Sequence, residues 1–182
     1  MRKIGLLPFT ILYGLITYSR NILFDVGILK STFIPGKSIS VGNLSVGGSG
    51  KTPMFNYLTS LLQSEYSIQI LSRGYGRKTS GYRQVTSADD ARTVGDEPMS
   101  YFQKFAPKTE VFVCEKRQEA IVKMKEMNPS STIILDDAFQ HRYVKPGLQL
   151  LLTPFHEQFL NDWHLPSGNL RESKTGAHRA DA

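Results

Sequence analysis

Three stretches of this chain hold residues whose types and spacing suit phosphate chemistry. The first is the glycine-rich run Ile39-Ser-Val-Gly-Asn-Leu-Ser-Val-Gly-Gly-Ser-Gly-Lys-Thr-Pro53. Gly47, Gly48 and Gly50 let a backbone fold around an anion with its N–H groups pointing inward. A helix starting after them would add its partial positive charge. In such a phosphate loop, Lys51 reaches the β- and γ-phosphates of a nucleoside triphosphate and the Thr52 hydroxyl ligates Mg²⁺. The predicted cradle is Ser45, Val46, Gly47, Gly48, Ser49, Gly50, Lys51 and Thr52. Pro53 is expected at the first helical position, where the N–H it lacks would have no partner. The general pattern carries a glycine where this chain has Ser45.

The other two stretches supply carboxylates. Thr132-Ile-Ile-Leu-Asp-Asp137 reads as an apolar strand delivering an aspartate at its C-terminal end, the usual partner of a phosphate loop in holding Mg²⁺. Asp96 and Glu97 precede Pro98 at the start of a predicted helix. A capping residue and a first-turn acid would account for that pair by themselves. The segment 72–81 holds three glycines and the basic residues Arg73, Arg77 and Lys78. It reads as a surface loop at the edge where open α/β sheets place ligands.

Strand candidates that could position these groups are 39–41, 68–71, 110–114, 132–137 and 148–152. Helical apolar spacing follows Pro53 (Met54, Phe55, Leu58, Leu61, Leu62), follows Pro98 (Met99, Phe102, Phe105) and covers 117–127. Past His156 the chain is polar and irregular, with a short helix expected within 170–177. Strands alternating with helices predict an α/β fold of the P-loop NTPase kind, a mostly parallel sheet flanked by helices.

A length of 182 residues suits one well-buried domain with little left over. One cysteine, Cys114, excludes an internal disulfide framework; it sits in an apolar run and reads as core. The net charge of +6 suits nucleic acid, an anionic membrane or a phosphorylated substrate alike. Nucleic-acid binding has only that charge in its favour. A GTPase is disfavoured, because 137–140 lacks a switch glycine and no guanine-reading Asn/Thr-Lys-x-Asp segment occurs.

The N-terminus opens with Arg2 and Lys3, followed by the uncharged run 4–16. That run is shorter than the roughly twenty apolar residues of a spanning helix, and no small-residue cleavage site follows it. Leu12, Leu15, Ile16, Ser19, Ile22 and Leu23 recur at helical spacing. Two uses of that stripe stay open: lying in a membrane interface, or packing on the domain's own core.

Taken together, these segments resemble the tetraacyldisaccharide 4'-kinases of lipid A biosynthesis. Val41-Gly-Asn-Leu-Ser-Val-Gly-Gly-Ser-Gly-Lys-Thr-Pro53, Leu71-Ser-Arg-Gly-Tyr-Gly76, Val94-Gly-Asp-Glu-Pro98 and Ile134-Leu-Asp-Asp-Ala-Phe-Gln-His141 carry the likeness, in that order. Gly168-Asn-Leu-Arg-Glu172 and Arg179-Ala-Asp-Ala182 look like later family segments. The family tolerates Ser or Thr at the position of Ser45.

The resemblance implies transfer of the ATP γ-phosphate to the 4'-hydroxyl of an acylated disaccharide 1-phosphate lipid, giving lipid IVA, with ATP and Mg²⁺ as cofactors. It implies Asp96 as base on the sugar hydroxyl, with Glu97, Asp136 or Asp137 organising the metal beside Thr52. Arg73, Gln140, His141 and Arg171 fall on the substrate side. Peripheral contact with an anionic membrane, at the cytoplasmic face of the bacterial inner membrane, is implied too; no nucleic-acid partner is expected. On this reading 1–30 is a helical docking segment and 31–182 a kinase domain incomplete at its C-terminus. Family members continue beyond the position of Ala182, with further strands and a histidine paired with the catalytic aspartate. The competing expectation is a catalytically weak nucleotide-binding fragment that docks on a membrane or partner. Ala138 stands where many family members have glycine.

Overall fold

The computed structural model describes residues 4–156 and 158–182. Among the described residues, eight strands and five α-helices run in chain order: α1 (Leu7–Asp25), β1 (Thr32–Phe33), β2 (Ser38–Gly42), α2 (Lys51–Leu62), β3 (Ile68–Ser72), β4 (Arg83–Gln84), α3 (Ala91–Val94), α4 (Asp96–Phe105), β5 (Thr109–Val113), α5 (Arg117–Met127), β6 (Thr132–Asp136), β7 (Val144–Lys145) and β8 (Leu148–Leu151). The main sheet has the order β4-β5-β3-β6-β2-β8 and is parallel except at β4. β1 and β7 form a separate parallel pair.

The central strands are buried on both sides, so their side chains feed two cores by simple alternation. Ile68, Ile70, Val111, Val113 and Ile134 join Phe55 of α2 and Tyr101 and Phe105 of α4. Leu71, Phe112, Ile133 and Leu135 join Ala120, Ile121 and Met124 of α5, with Cys114 in the same cluster. These are the α/β fold and mostly parallel sheet expected from the sequence.

Connectivity positions the chemistry. The chain leaves β2 through α2 and returns as β3, and β6 later inserts between those two strands. Val41 of β2 is in register with Asp136 of β6, and Leu71 of β3 with Leu135. The C-terminal ends of β2, β6 and β3 therefore lie side by side, where ligands of open α/β sheets bind.

Two details differ from expectation, and a third decides between two readings left open. The helix α2 begins at Lys51, so Pro53 is its third residue. The proline costs nothing there, because the first intrahelical bond is donated by Met54 to the Gly50 carbonyl at 3.1 Å. The tail forms a 3-10 helix at Lys174–Arg179, later than the expected 170–177. The N-terminal stripe points away from the protein: Leu12, Leu15, Ile16, Ile22 and Leu23 are all exposed, and the face turned inward carries Thr10, Asn21 and Phe24. The core-packing use of the stripe is thereby removed.

Candidate active site

The phosphate loop is tied down at both ends. Gly42 packs so closely on the chain after β6 that a Cβ there would stand 2.6 Å from Cβ of Phe139. Asn43 is buried, and its Nδ2 donates to the Ser45 carbonyl (2.5 Å) and to Ser49 Oγ (2.7 Å). Beyond it the loop is zipped to the C-terminal segment: Val46 N–H donates to the Asn169 carbonyl, and Arg171 N–H to the Leu44 carbonyl, each at 2.8 Å. Ser45 pairs across this zipper with Leu170. Its φ is not positive, so the position has no need of the glycine that the general pattern carries.

Left-handed geometry falls at Gly47 (φ 111°) and Gly50 (φ 78°). A Cβ at Gly47, Gly48 or Gly50 would meet nothing within 4 Å, so the space over the loop is open. The α2 N-terminus has no side-chain cap, leaving its first N–H groups for a ligand. Lys51 points inward, with Nζ 3.1 Å from Asn43 Oδ1, while Thr52 is exposed at the first turn.

The β6 end brings up two aspartates in different surroundings. Asp136 is buried and accepts a hydrogen bond from Ser72 Oγ at 3.2 Å. Its carboxyl is pushed up to about 7, first by burial and then by the charges of Glu97 and Asp137. Asp137 has φ 44°, left-handed and held there by the Val41 carbonyl, which accepts its N–H at 3.1 Å. Its Oδ2 lies 2.8 Å from Arg171 Nη1; its Oδ1, shielded from solvent, has no hydrogen-bond donor among the described residues and stands 3.9 Å from Lys51 Nζ. Ala138 does not have positive φ, so a glycine is not required at that position.

Asp96 and Glu97 open α4 behind Gly95, and neither side chain caps the helix. The capping box of this region lies upstream instead, between Asp90 and Thr93. Asp96 is therefore not a cap, although both acids do sit in the first turn of α4; both carboxylates are exposed and face the cleft.

That cleft, about 950 Å³, gathers Lys51, Asp96, Glu97, Asp136 and Asp137 with the expected substrate-side residues Arg73, Gln140, His141 and Arg171. Of the phosphate loop, Val46 and Lys51 line it; Thr52 and the glycines lie outside its lining. Gln140 is a brace as much as a wall, since its Nε2 donates to the Asn43 carbonyl (2.8 Å) and to Glu172 (3.2 Å). The His141 ring is pushed down to about 4 by burial and by Arg117, Arg20 and Arg73, so it is neutral at ordinary pH. Among the described residues, no three His, Cys, Asp or Glu side chains form a metal-binding group by themselves. A Mg²⁺ ion suits such a half-built set, because it keeps waters and takes phosphate oxygens alongside one or two carboxylates.

Several cleft residues escaped sequence reading. Tyr13, Thr17, Arg20 and Asn21 of α1 form one wall. Tyr13 Oη donates to the Arg171 carbonyl at 2.8 Å and Asn21 Nδ2 to the buried Glu172 at 2.7 Å. Arg117 is almost fully buried, donating to the carbonyls of Asp136 (2.7 Å) and Asp137 (3.3 Å). In the sequence it is only the first residue of a helix. The polar positions of α1 interleaved with its apolar stripe were the one available signal for that wall.

A family model described as tetraacyldisaccharide-1-P 4'-kinase matches residues 2–182. The tetraacyldisaccharide 4'-kinase of Flavobacterium psychrophilum is 51% identical over 177 residues, which are 97% of this chain and 51% of that protein. That of Bacteroides thetaiotaomicron is 46% identical, across 96% of this chain and 46% of its own length. The crystal structure of LpxK from Aquifex aeolicus in complex with ATP superposes with a TM-score of 0.88 at 42% identity, covering 97% of this chain and 56% of that one. The chain thus spans about half the length of the curated relatives it matches. Matched along nearly its whole length, it belongs to the tetraacyldisaccharide-1-P 4'-kinase family.

Proposed function

We propose that this chain forms the nucleotide-binding and hydroxyl-activating part of an enzyme that phosphorylates the 4'-hydroxyl of a tetraacyldisaccharide 1-phosphate, yielding lipid IVA. One observation carries the reading: Lys51 and four carboxylates, Asp96, Glu97, Asp136 and Asp137, open onto a single cleft beside the phosphate loop. The ATP-bound state of the similar Aquifex aeolicus structure supports ATP as the donor.

Backbone N–H groups of Gly47, Gly48 and Gly50 and the α2 N-terminus would hold the triphosphate, with Lys51 on its terminal phosphates. Thr52, Asp136 and Asp137, with Glu97 beside them, would hold Mg²⁺, which when bound neutralises charge on the phosphates. The shielded, donorless Oδ1 of Asp137 fits that use. Asp96 takes the proton of the sugar 4'-hydroxyl as its oxygen bonds to the γ-phosphorus, and ADP leaves with the bridging oxygen. Arg73, His141 and Arg171 line the acceptor's side of the cleft, and Gln140 braces it. The arrangement works through positioning and charge neutralisation.

A lipid acceptor calls for a membrane, and α1 fits one. Its outward face carries Phe9, Ile11, Leu12, Leu15, Ile16 and Tyr18, each more than half exposed. No described helix is long and apolar enough to cross a bilayer. In this reading 1–30 docks peripherally on the anionic cytoplasmic face of the inner membrane, and 31–182 carries the chemistry. Arg2 and Lys3, which would add attraction to anionic lipid, lie outside the described residues.

The test is ATP–Mg²⁺ binding by calorimetry, followed by transfer of labelled γ-phosphate to the tetraacylated disaccharide 1-phosphate. Binding and acceptor-dependent labelling are expected. Absence of ATP binding would end the reading.

A further inference from the structure

The loop between β3 and β4 delivers Arg73 and the 88% exposed Tyr75 to the cleft, yet it is fastened at its base by a residue that does not line the cleft. Arg77 has only 2% of its side chain exposed and pairs with Glu115 at 2.5 Å. The same guanidinium donates to the Gly81 carbonyl at 2.7 Å, and Glu115 accepts the Gly81 N–H at 3.0 Å. A cation so deeply enclosed is costly unless partnered, and here Nη2 carries these contacts while Nε and Nη1 are buried without a hydrogen-bond partner among the described residues, so losing Glu115 would strand the charge.

The stem of Arg77 lies over Gly74. A Cβ built on Gly74 would stand 2.7 Å from Arg77 Cδ on one side and 2.9 Å from the Val94 carbonyl oxygen on the other. Gly95 meets the loop from the opposite direction: a Cβ there would stand 3.0 Å from the Tyr75 carbonyl oxygen and 3.3 Å from Gly74 Cα. Both glycines have positive φ, 71° and 97°, so this backbone contact excludes other residues twice over. Gly95 immediately precedes Asp96 at the start of α4. Two further bonds hold the loop on α3: Lys78 N–H to the Arg92 carbonyl (2.7 Å) and Thr79 Oγ1 to the Thr93 carbonyl (2.5 Å).

We infer that Arg77, held by Glu115, is a positioning residue that presses the Arg73–Tyr75 loop onto the start of α4, so that Arg73, Tyr75 and Asp96 keep one fixed geometry. The inference rests on the kinase reading for its effect on turnover, but its structural content is independent of it. Without the clamp, the loop and the first turn of α4 loosen together, and the acceptor hydroxyl loses alignment with Asp96. The phosphate loop, on the other side of β6, is untouched.

The experiment combines hydrogen exchange with kinetics on Arg77→Ala, Arg77→Lys and Glu115→Gln. Amides of 74–81 and of Gly95 to Met99 are expected to gain exchange together in Arg77→Ala and Glu115→Gln. Acceptor-dependent kcat should fall about 10–100-fold while ATP affinity stays within about twofold. Arg77→Lys, which keeps the charge but not the fork, should restore part of both. Faster exchange confined to 76–81, or a loss of ATP affinity parallel to the loss of turnover, would overturn the inference. If the unsubstituted chain binds no ATP, the kinase reading fails, and the exchange pattern still decides the clamp.

Discussion

The Lys51 ammonium stands 3.9 Å from the Asp137 carboxylate, across the gap between the first turn of α2 and the end of β6. Asn43 Oδ1 at 3.1 Å holds the same ammonium from below. The lysine is thus pre-aimed over the loop without contributing to either core. Lys51→Ala should leave the fold intact, since a partly exposed pair of this kind is worth about 0–1 kcal/mol. Its loss from the triphosphate is another matter: a charge-assisted contact of about 1.5–3 kcal/mol corresponds to roughly 10–100-fold in affinity. Calorimetric titration with ATP–Mg²⁺ checks this, and an unchanged affinity would remove the phosphate-loop assignment.

Asp96→Asn separates binding from transfer. The side chain is exposed and makes no cap bond, so the substitution leaves α4 in place. Removing a general base costs about 10²–10⁴ in rate. ATP affinity should be unchanged while phosphate transfer to the acceptor collapses by that factor. Full transfer by the variant would show that Asp96 is not the base.

The sheet and the phosphate loop were legible because their signals are local. Alternation and apolar runs mark β2, β3, β5 and β6 within a residue or two, and glycines mark Gly47 and Gly50. What stayed hidden depends on contacts distant in sequence. Arg117 reads as an ordinary helix start, and only the fold brings its guanidinium under the carbonyls of Asp136 and Asp137. Periodicity located the stripe of α1 but is blind to direction. The inward polar residues that settle the direction, Tyr13 and Asn21, find their partners at Arg171 and Glu172, near the other end of the chain. Ser45 looked like a departure from pattern only because its pairing with Leu170 is invisible in a linear sequence.

His141 makes a pH prediction. Burial first, then Arg117, Arg20 and Arg73, hold its ring near 4 in the fold, against about 6.5 when unfolded. Between those values the unfolded chain binds the extra proton and the folded one does not. The His141 contribution to stability is therefore full above about pH 6.5 and is lost as pH drops toward 4, while Asp136, raised to about 7, contributes with the opposite sign over the same range. The difference in denaturant midpoint between the parent and His141→Gln across this range isolates the His141 share, and it should shrink as pH falls. NMR should find this imidazole still neutral at pH 6, and a ring titrating near 6.5 would refute the assignment.

The outward stripe of α1 sets the last prediction. A patch holding Leu12, Leu15 and Ile16 at 57%, 58% and 59% exposure is larger than scattered surface apolar residues explain. The opposite face is fixed to the domain by polar bonds, including Asn21 to Glu172, and by the Arg142–Asp25 pair at 2.6 Å. Changing the outward residues should therefore spare the fold: Leu12→Asp with Leu15→Asp is expected to shift stability by no more than about 0.5 kcal/mol per site. The same pair should sharply reduce cosedimentation with vesicles, because each apolar side chain removed from a lipid interface forfeits roughly 1.5–3 kcal/mol of burial. The unsubstituted protein should prefer anionic vesicles over neutral ones, with the preference shrinking at high salt as the Debye length contracts. Equal sedimentation of the parent and the double variant would show that lipid does not cover this face, and would take the membrane-docking role away from α1.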